Sequence, residues 1–72
     1  MTDIDGIRAR LERRELTSED VWQIKLMLDD SLTRGQIDQS QYLKIIRAAN
    51  AEVEWHEEWR REAIRFLREC RR

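Results

Sequence analysis

The chain contains no proline, and its second half contains neither proline nor glycine. These two residues most often interrupt helices, so residues 36–72 carry no obvious signal that would end one. The only glycines, Gly6 and Gly35, lie far apart. Two isolated glycines exclude a glycine-rich phosphate-binding loop.

Cysteine, histidine and long apolar runs are equally scarce. The single Cys70 has no second cysteine for an internal disulfide, and with the single His56 it offers too few ligands for a structural zinc site. No apolar run approaches the roughly 18 residues of a membrane-spanning helix, and the N-terminus lacks the apolar core of a signal peptide. The sequence therefore predicts a soluble, cytoplasmic protein without a cofactor.

The chain is short and its charges are unevenly distributed. Its 72 residues form one domain at most, of a size that is marginally stable without staples or oligomerisation. The net charge is only −1, yet residues 15–58 hold ten acidic and four basic side chains, whereas residues 59–72 hold six arginines and two acids. Two interpretations remain open: antiparallel self-pairing of a basic end with an acidic middle, or two separate recognition surfaces.

Apolar residues recur at helical spacing and predict an all-α domain with two short helices and one long C-terminal helix. The predicted helices span about residues 4–15, 18–34 and 39–70. This arrangement is a helical hairpin or bundle that oligomerisation completes.

Helix boundaries are marked by local signals. Thr17 followed by Asp20, and Asp38 followed by Gln41, have the spacing of capping boxes that begin helices. Gly35 suits the left-handed conformation that ends the second helix.

The third predicted helix is about 50 Å long at 1.5 Å per residue, too long for the two shorter helices to cover its apolar stripe. A period near 3.5 indicates a seam of the kind that bundles use. We therefore expect a homodimer, and the residues assigned to self-association are Tyr42, Ile45, Ile46, Ala49, Val53, Trp59, Ala63, Phe66 and Leu67. The alternative is a break near Asn50 and Ala51 that gives two helices with separate faces.

A second apolar patch, formed by Trp22 and Leu26, falls outside the core-facing arc of the second helix. Either this helix is sandwiched between its neighbours, which is our prediction for Trp22, or the patch contacts another protein, since tryptophan often anchors interfaces. Carboxylates accompany the tryptophans of the third helix, which suits a basic partner surface. The residues assigned to partner binding are Trp22, Leu26, Glu52, Trp55 and Glu58.

Few residues have the spacing of a catalytic or metal site. Glu52 and His56 lie one turn apart, but one helix face offers at most these two ligands, and a metal usually needs three or four. A polar pair that sets the register of the seam explains them better. Cys70 lies near the chain end without a partnering base. We expect no enzymatic activity.

Three binding functions remain. The leading one is a small helical interaction protein, such as an adaptor, inhibitor or regulatory subunit, and its size and composition are also typical of phage and mobile-element accessory proteins that block host factors. The second is nucleic-acid binding by the basic tail. The third is a membrane-surface helix that uses Trp55, Trp59 and Phe66. The arginines assigned to nucleic acid are Arg60, Arg61, Arg65, Arg68, Arg71 and Arg72.

Overall fold

A computed structural model describes residues 3–50 and 56–70 of the chain. Within these residues the fold is all-helical and contains no strand. The helices are α1 (Ile4–Glu12), α2 (Ser18–Thr33), α3 (Gln39–Ala49) and α4 (Glu57–Cys70). The all-α prediction is confirmed, and the predicted count of three helices is wrong.

Side-chain caps begin the first three helices. The Asp3 carboxylate accepts the backbone N–H of Gly6 at 3.0 Å and caps α1. A Cβ at Gly6 would collide with this carboxylate, which explains a glycine in the first turn. The two predicted capping boxes, which begin α2 and α3, are both present with reciprocal hydrogen bonds.

Helices α1 and α2 end in the same backbone motif. In α2, the N–H of Gly35 donates to Leu32 and that of Gln36 donates to Ser31, with Gly35 at φ 74°. These are the paired hydrogen bonds of a Schellman motif, and glycine accepts the positive φ without a Cβ clash. In α1 the equivalent position is Arg14, at φ 60°, although it carries a side chain.

The predicted long third helix does not form. Helix α3 ends at Ala49, because Asn50 adopts an extended conformation with φ −89° and ψ 114°. The continuous helix is therefore wrong, and the alternative of a break near Asn50 and Ala51 is confirmed at Asn50 but not in its separate faces, because both helices contribute to one core. With the break, α4 packs against both α3 and α1, while α2 packs against α3. A straight helix would leave its second half without these neighbours, so burial of the α4 stripe favours two helices.

A shared core lies between the four helices. The molecule measures 29 × 27 × 18 Å. Asp20 and Ser31 are the polar residues that are buried with it. The buried apolar residues are Ile7, Leu11, Ile24, Leu28, Ile45, Ala49, Ala63, Ile64, Phe66 and Leu67.

This core contains most of the residues assigned to self-association. Five of them are buried inside the chain itself, while Tyr42 and Ile46 are partly buried against the same core. Trp59 is partly exposed, and Val53 lies outside the described residues. The five buried residues are Ile45, Ala49, Ala63, Phe66 and Leu67. An uncovered 50 Å stripe was the reason to expect a homodimer, and that reason no longer applies.

Candidate interaction surface

Trp22 and Leu26 lie one turn apart on the outer face of α2. These residues are 57% and 44% exposed, the highest values for large apolar residues in the described part of the chain. Ile24 and Leu28, on the opposite face of α2, are fully buried. The sandwich interpretation of Trp22 is therefore wrong, because neither neighbouring helix covers this patch. We call Trp22 and Leu26 the apolar pair.

A polar triad borders the apolar pair on the side of α3. Asp29 accepts a hydrogen bond from the Tyr42 hydroxyl at 2.8 Å and another from Lys25 Nζ at 2.9 Å. The Lys25 ammonium, followed by the Tyr42 hydroxyl, lowers the pKa of Asp29, and the same carboxylate raises the pKa of Tyr42. Asp29 is thus an ionised, positioned side chain that joins α2 to α3 beside the apolar pair.

A second ionic connection lies at the N-terminal end of α2. Arg10 Nε donates to Asp20 Oδ2 at 2.6 Å and Arg10 Nη2 donates to Asp20 Oδ1 at 2.8 Å, in the two-pronged geometry that favours arginine. Hydrogen bonds from Arg10 lower the pKa of Asp20 to about 2, and those from Thr17 add to the effect against the opposing influence of burial. The pair fixes α1 to the start of α2.

An open cleft of about 560 Å³ surrounds this ion pair. Three of its lining residues, Asp3, Glu19 and Asp20, are acidic and one, Arg10, is basic. Ile7, Thr17 and Gln23 complete the lining. The cleft is therefore acidic overall, and Glu19 places its edge on the same helix as the apolar pair.

Trp59 has a different environment from Trp22. Its ring stacks on His56 at a centroid distance of 4.7 Å, and the Arg47 guanidinium lies 5.6 Å from the ring centroid. Glu58, beside it in the chain, forms an ion pair with Lys44 at 3.1 Å. The Arg47 and Lys44 contacts join α3 to α4, and the assignment of Glu58 to partner binding stays a prediction. Glu52 and Trp55, also assigned to partner binding, lie outside the described residues.

The arginines of α4 are largely neutralised by their own helix. Arg60 and Arg61 both form ion pairs with Glu57, and Arg65 pairs with Glu62 at 2.9 Å. Arg68 is exposed. Of the predicted nucleic-acid residues, Arg71 and Arg72 lie outside the described residues. Phe66, which the membrane-surface interpretation needs on the outside, is buried.

Cys70 is poorly suited to chemistry. Burial, followed by the charges of Glu69 and Asp30, raises the pKa of its thiol, so the reactive thiolate is disfavoured. Among the described residues, no three acidic, histidine or cysteine side chains group so as to hold a metal ion. No helix in that part of the chain is both long and apolar enough to cross a membrane.

Comparison of the chain with protein families, curated proteins and solved structures finds no match. The function must therefore be argued from the surface itself. The helical pattern of the sequence separates the apolar pair from the core face of α2, but no local pattern indicates the acidic cleft. Asp20 was visible as part of a capping box, whereas its partner Arg10 lies ten residues away and no local spacing connects the two.

Proposed function

We propose that this chain is a non-enzymatic protein–protein interaction module, such as an adaptor, inhibitor or regulatory subunit. In this proposal Trp22 and Leu26 anchor the partner. The observation that carries the proposal is the exposure of this apolar pair on α2. Exposed tryptophan is a frequent interface anchor, because it buries a large area at a low cost in conformational entropy.

The division of α2 into two apolar faces supports the proposal. One face supplies Ile24 and Leu28 to the core, and the other carries the apolar pair. Trp22 is 57% exposed and lies outside the core, so packing within the chain does not account for it. A binding role gives a physical reason for its presence on the exposed face.

The test is a comparison of Trp22→Ala with the wild-type chain. We expect Trp22→Ala to shift the free energy of unfolding by less than about 1 kcal/mol, because the side chain is largely exposed. Capture of the cellular partner, identified by mass spectrometry, should fall by about tenfold or more, as for loss of an interface anchor.

Leu32→Ala is the matched control on the same helix. Leu32 is 38% exposed and lies about 80° from Trp22 around the helix axis at 100° per residue. It should retain the partner. Equal partner retention by Trp22→Ala and the wild type would refute the proposal.

A further inference from the structure

We infer that the partner segment is a basic amphipathic helix, with an apolar pair that contacts Trp22 and Leu26 and lysine or arginine residues toward the N-terminal end of α2. This inference rests on the proposed function and specifies the chemistry of the partner. It follows from the charges that surround the apolar pair.

The apolar pair has a carboxylate on each side around the axis of α2. On a helical projection, Glu19 lies about 20° from Leu26 and about 60° from Trp22, and Asp29 lies about 20° from Trp22 on the other side. Glu19 precedes Leu26 by about 10 Å along the axis, or two turns. A partner helix that packs on the apolar pair at a crossing angle of about 20° therefore also reaches Glu19.

The acidic cleft extends this charge beyond Glu19. Asp3, Glu19 and Asp20 line it, and only Arg10 opposes them. Arg10 is already engaged by Asp20. Cationic side chains of a partner that reach this end of α2 meet an excess of negative charge, whereas an acidic partner is repelled.

A second copy of this chain fits the surface poorly. Antiparallel pairing of two α2 faces brings Glu19 of one copy to the Asp29–Lys25 ion pair of the other, and parallel pairing brings the two Glu19 side chains together. Neither arrangement gives Glu19 a cation that is not already engaged by a carboxylate of its own helix. The apolar pair exposes on the order of 200 Å² of side-chain surface, well below the burial in a stable dimer. The exposed side of α4 offers no complement either, because its four arginines are matched by four glutamates and it carries no exposed large apolar residue among those described.

The probe is a labelled synthetic peptide of roughly 15 residues, long enough for appreciable helix. In its helical form this peptide has leucines on one face and lysines on the other. A second peptide keeps the leucines and has glutamate at every lysine position. Fluorescence anisotropy with the full-length protein, at low and high salt, gives both affinities. We expect the lysine peptide to bind with a Kd on the order of 10 μM and to weaken with salt, and the glutamate peptide to bind at least about tenfold more weakly.

Three variants separate the contributions. Trp22→Ala should lower the affinity for the lysine peptide by about tenfold. Glu19→Gln removes one charge from the cleft without touching a cap or an ion pair, and should weaken binding by about threefold and flatten the salt dependence. Glu69→Gln is the control with the same change of charge, on α4 beside Ser31 and Ile37, and should leave the affinity unchanged.

Several results would overturn the inference. These are equal affinity for the two peptides, no binding of the lysine peptide, or equal losses in Glu19→Gln and Glu69→Gln. Equal affinity that still depends on Trp22 would reject the basic partner while leaving the proposed function intact. A fall in molar mass on Trp22→Ala in sedimentation equilibrium would instead identify a second copy as the occupant and reject the inference.

Discussion

Asp20 connects two helices through a single carboxylate. Its Oδ2 accepts hydrogen bonds from Arg10 Nε and from the backbone N–H of Thr17, while its Oδ1 accepts from Arg10 Nη2. The carboxylate is 8% exposed and the guanidinium 35% exposed. Arg10 therefore retains water on one side, which reduces the desolvation cost that buried ion pairs usually carry.

We expect Asp20→Asn to lower the free energy of unfolding by about 2 kcal/mol at neutral pH. The pKa of Asp20 is lower in the folded state, about 2, than its ordinary value of 3.8. The ionised carboxylate therefore stabilises the fold above about pH 4, and this contribution is lost as the pH falls from about 4 through 2.

Urea titrations of both proteins at a series of pH values would measure this difference. It should shrink over that acidic range. Asp30→Asn is the control, because its ion pair with Arg34 is exposed and should contribute less than about 0.5 kcal/mol. A difference between Asp20→Asn and wild type that is constant down to pH 2 would contradict the assignment.

Arg14 and Gly35 form a natural comparison, because both occupy the left-handed position after a helix. Arg14→Gly should raise the free energy of unfolding by about 0.5 to 1 kcal/mol, since it removes the Cβ clash at φ 60°. Gly35→Ala should lower it by about 1 kcal/mol through backbone strain alone, because a Cβ there meets no atom within 4 Å. Denaturant midpoints would show both shifts, and changes of the same sign would exclude the explanation.

At the scale of elements, the two halves of the predicted long helix meet through a small group of side chains. Trp59 of α4 contacts Arg47 of α3 and stacks on His56, and Lys44 of α3 pairs with Glu58. These contacts lie near the break, whereas Phe66 packs deeper in the core at 5% exposure. The contacts of Trp59 and Glu58 position α4. Most of the packing energy comes from the buried residues of this helix, which are Ala63, Ile64, Phe66 and Leu67.

A graded series of alanine variants tests this division. Phe66→Ala should lower the free energy of unfolding by about 3 to 5 kcal/mol, because it truncates a core side chain. Trp59→Ala should cost about 1 to 2 kcal/mol, because a partly exposed ring loses one stacking and one cation–π contact. Glu58→Ala should change the free energy of unfolding by less than about 0.5 kcal/mol. Thermal melting resolves the series, and equal costs for Phe66 and Trp59 would place Trp59 in the core.

For the whole molecule, the folded-back α4 changes the expected assembly state. Seven of the nine residues assigned to a dimer seam, all except Val53 and Trp59, pack in or against the core of one chain. We expect sedimentation equilibrium at micromolar concentration to give the 8.8 kDa mass of a monomer. A cooperative thermal transition independent of protein concentration should accompany it. A mass of two chains, or a melting temperature that rises with concentration, would show that the chain self-associates.

The sequence by itself determined the helical class and three of the helix boundaries. The Thr17 and Asp38 capping boxes and the Gly35 terminator each involve residues within five positions of one another, so they act before any tertiary contact forms. The same locality explains why the apolar pair was recognised as separate from the core face of α2.

Only the tertiary structure decided the break after Ala49, the Arg10–Asp20 pair and the exposure of Trp22. The apolar period continues from α3 toward α4, so a straight and a broken helix satisfy the sequence pattern equally well. What distinguishes them is the burial of Ala63, Phe66 and Leu67 against α1 and α3, which depends on residues far apart in the chain. Exposure is likewise a property of what packs nearby, and no local spacing specifies it.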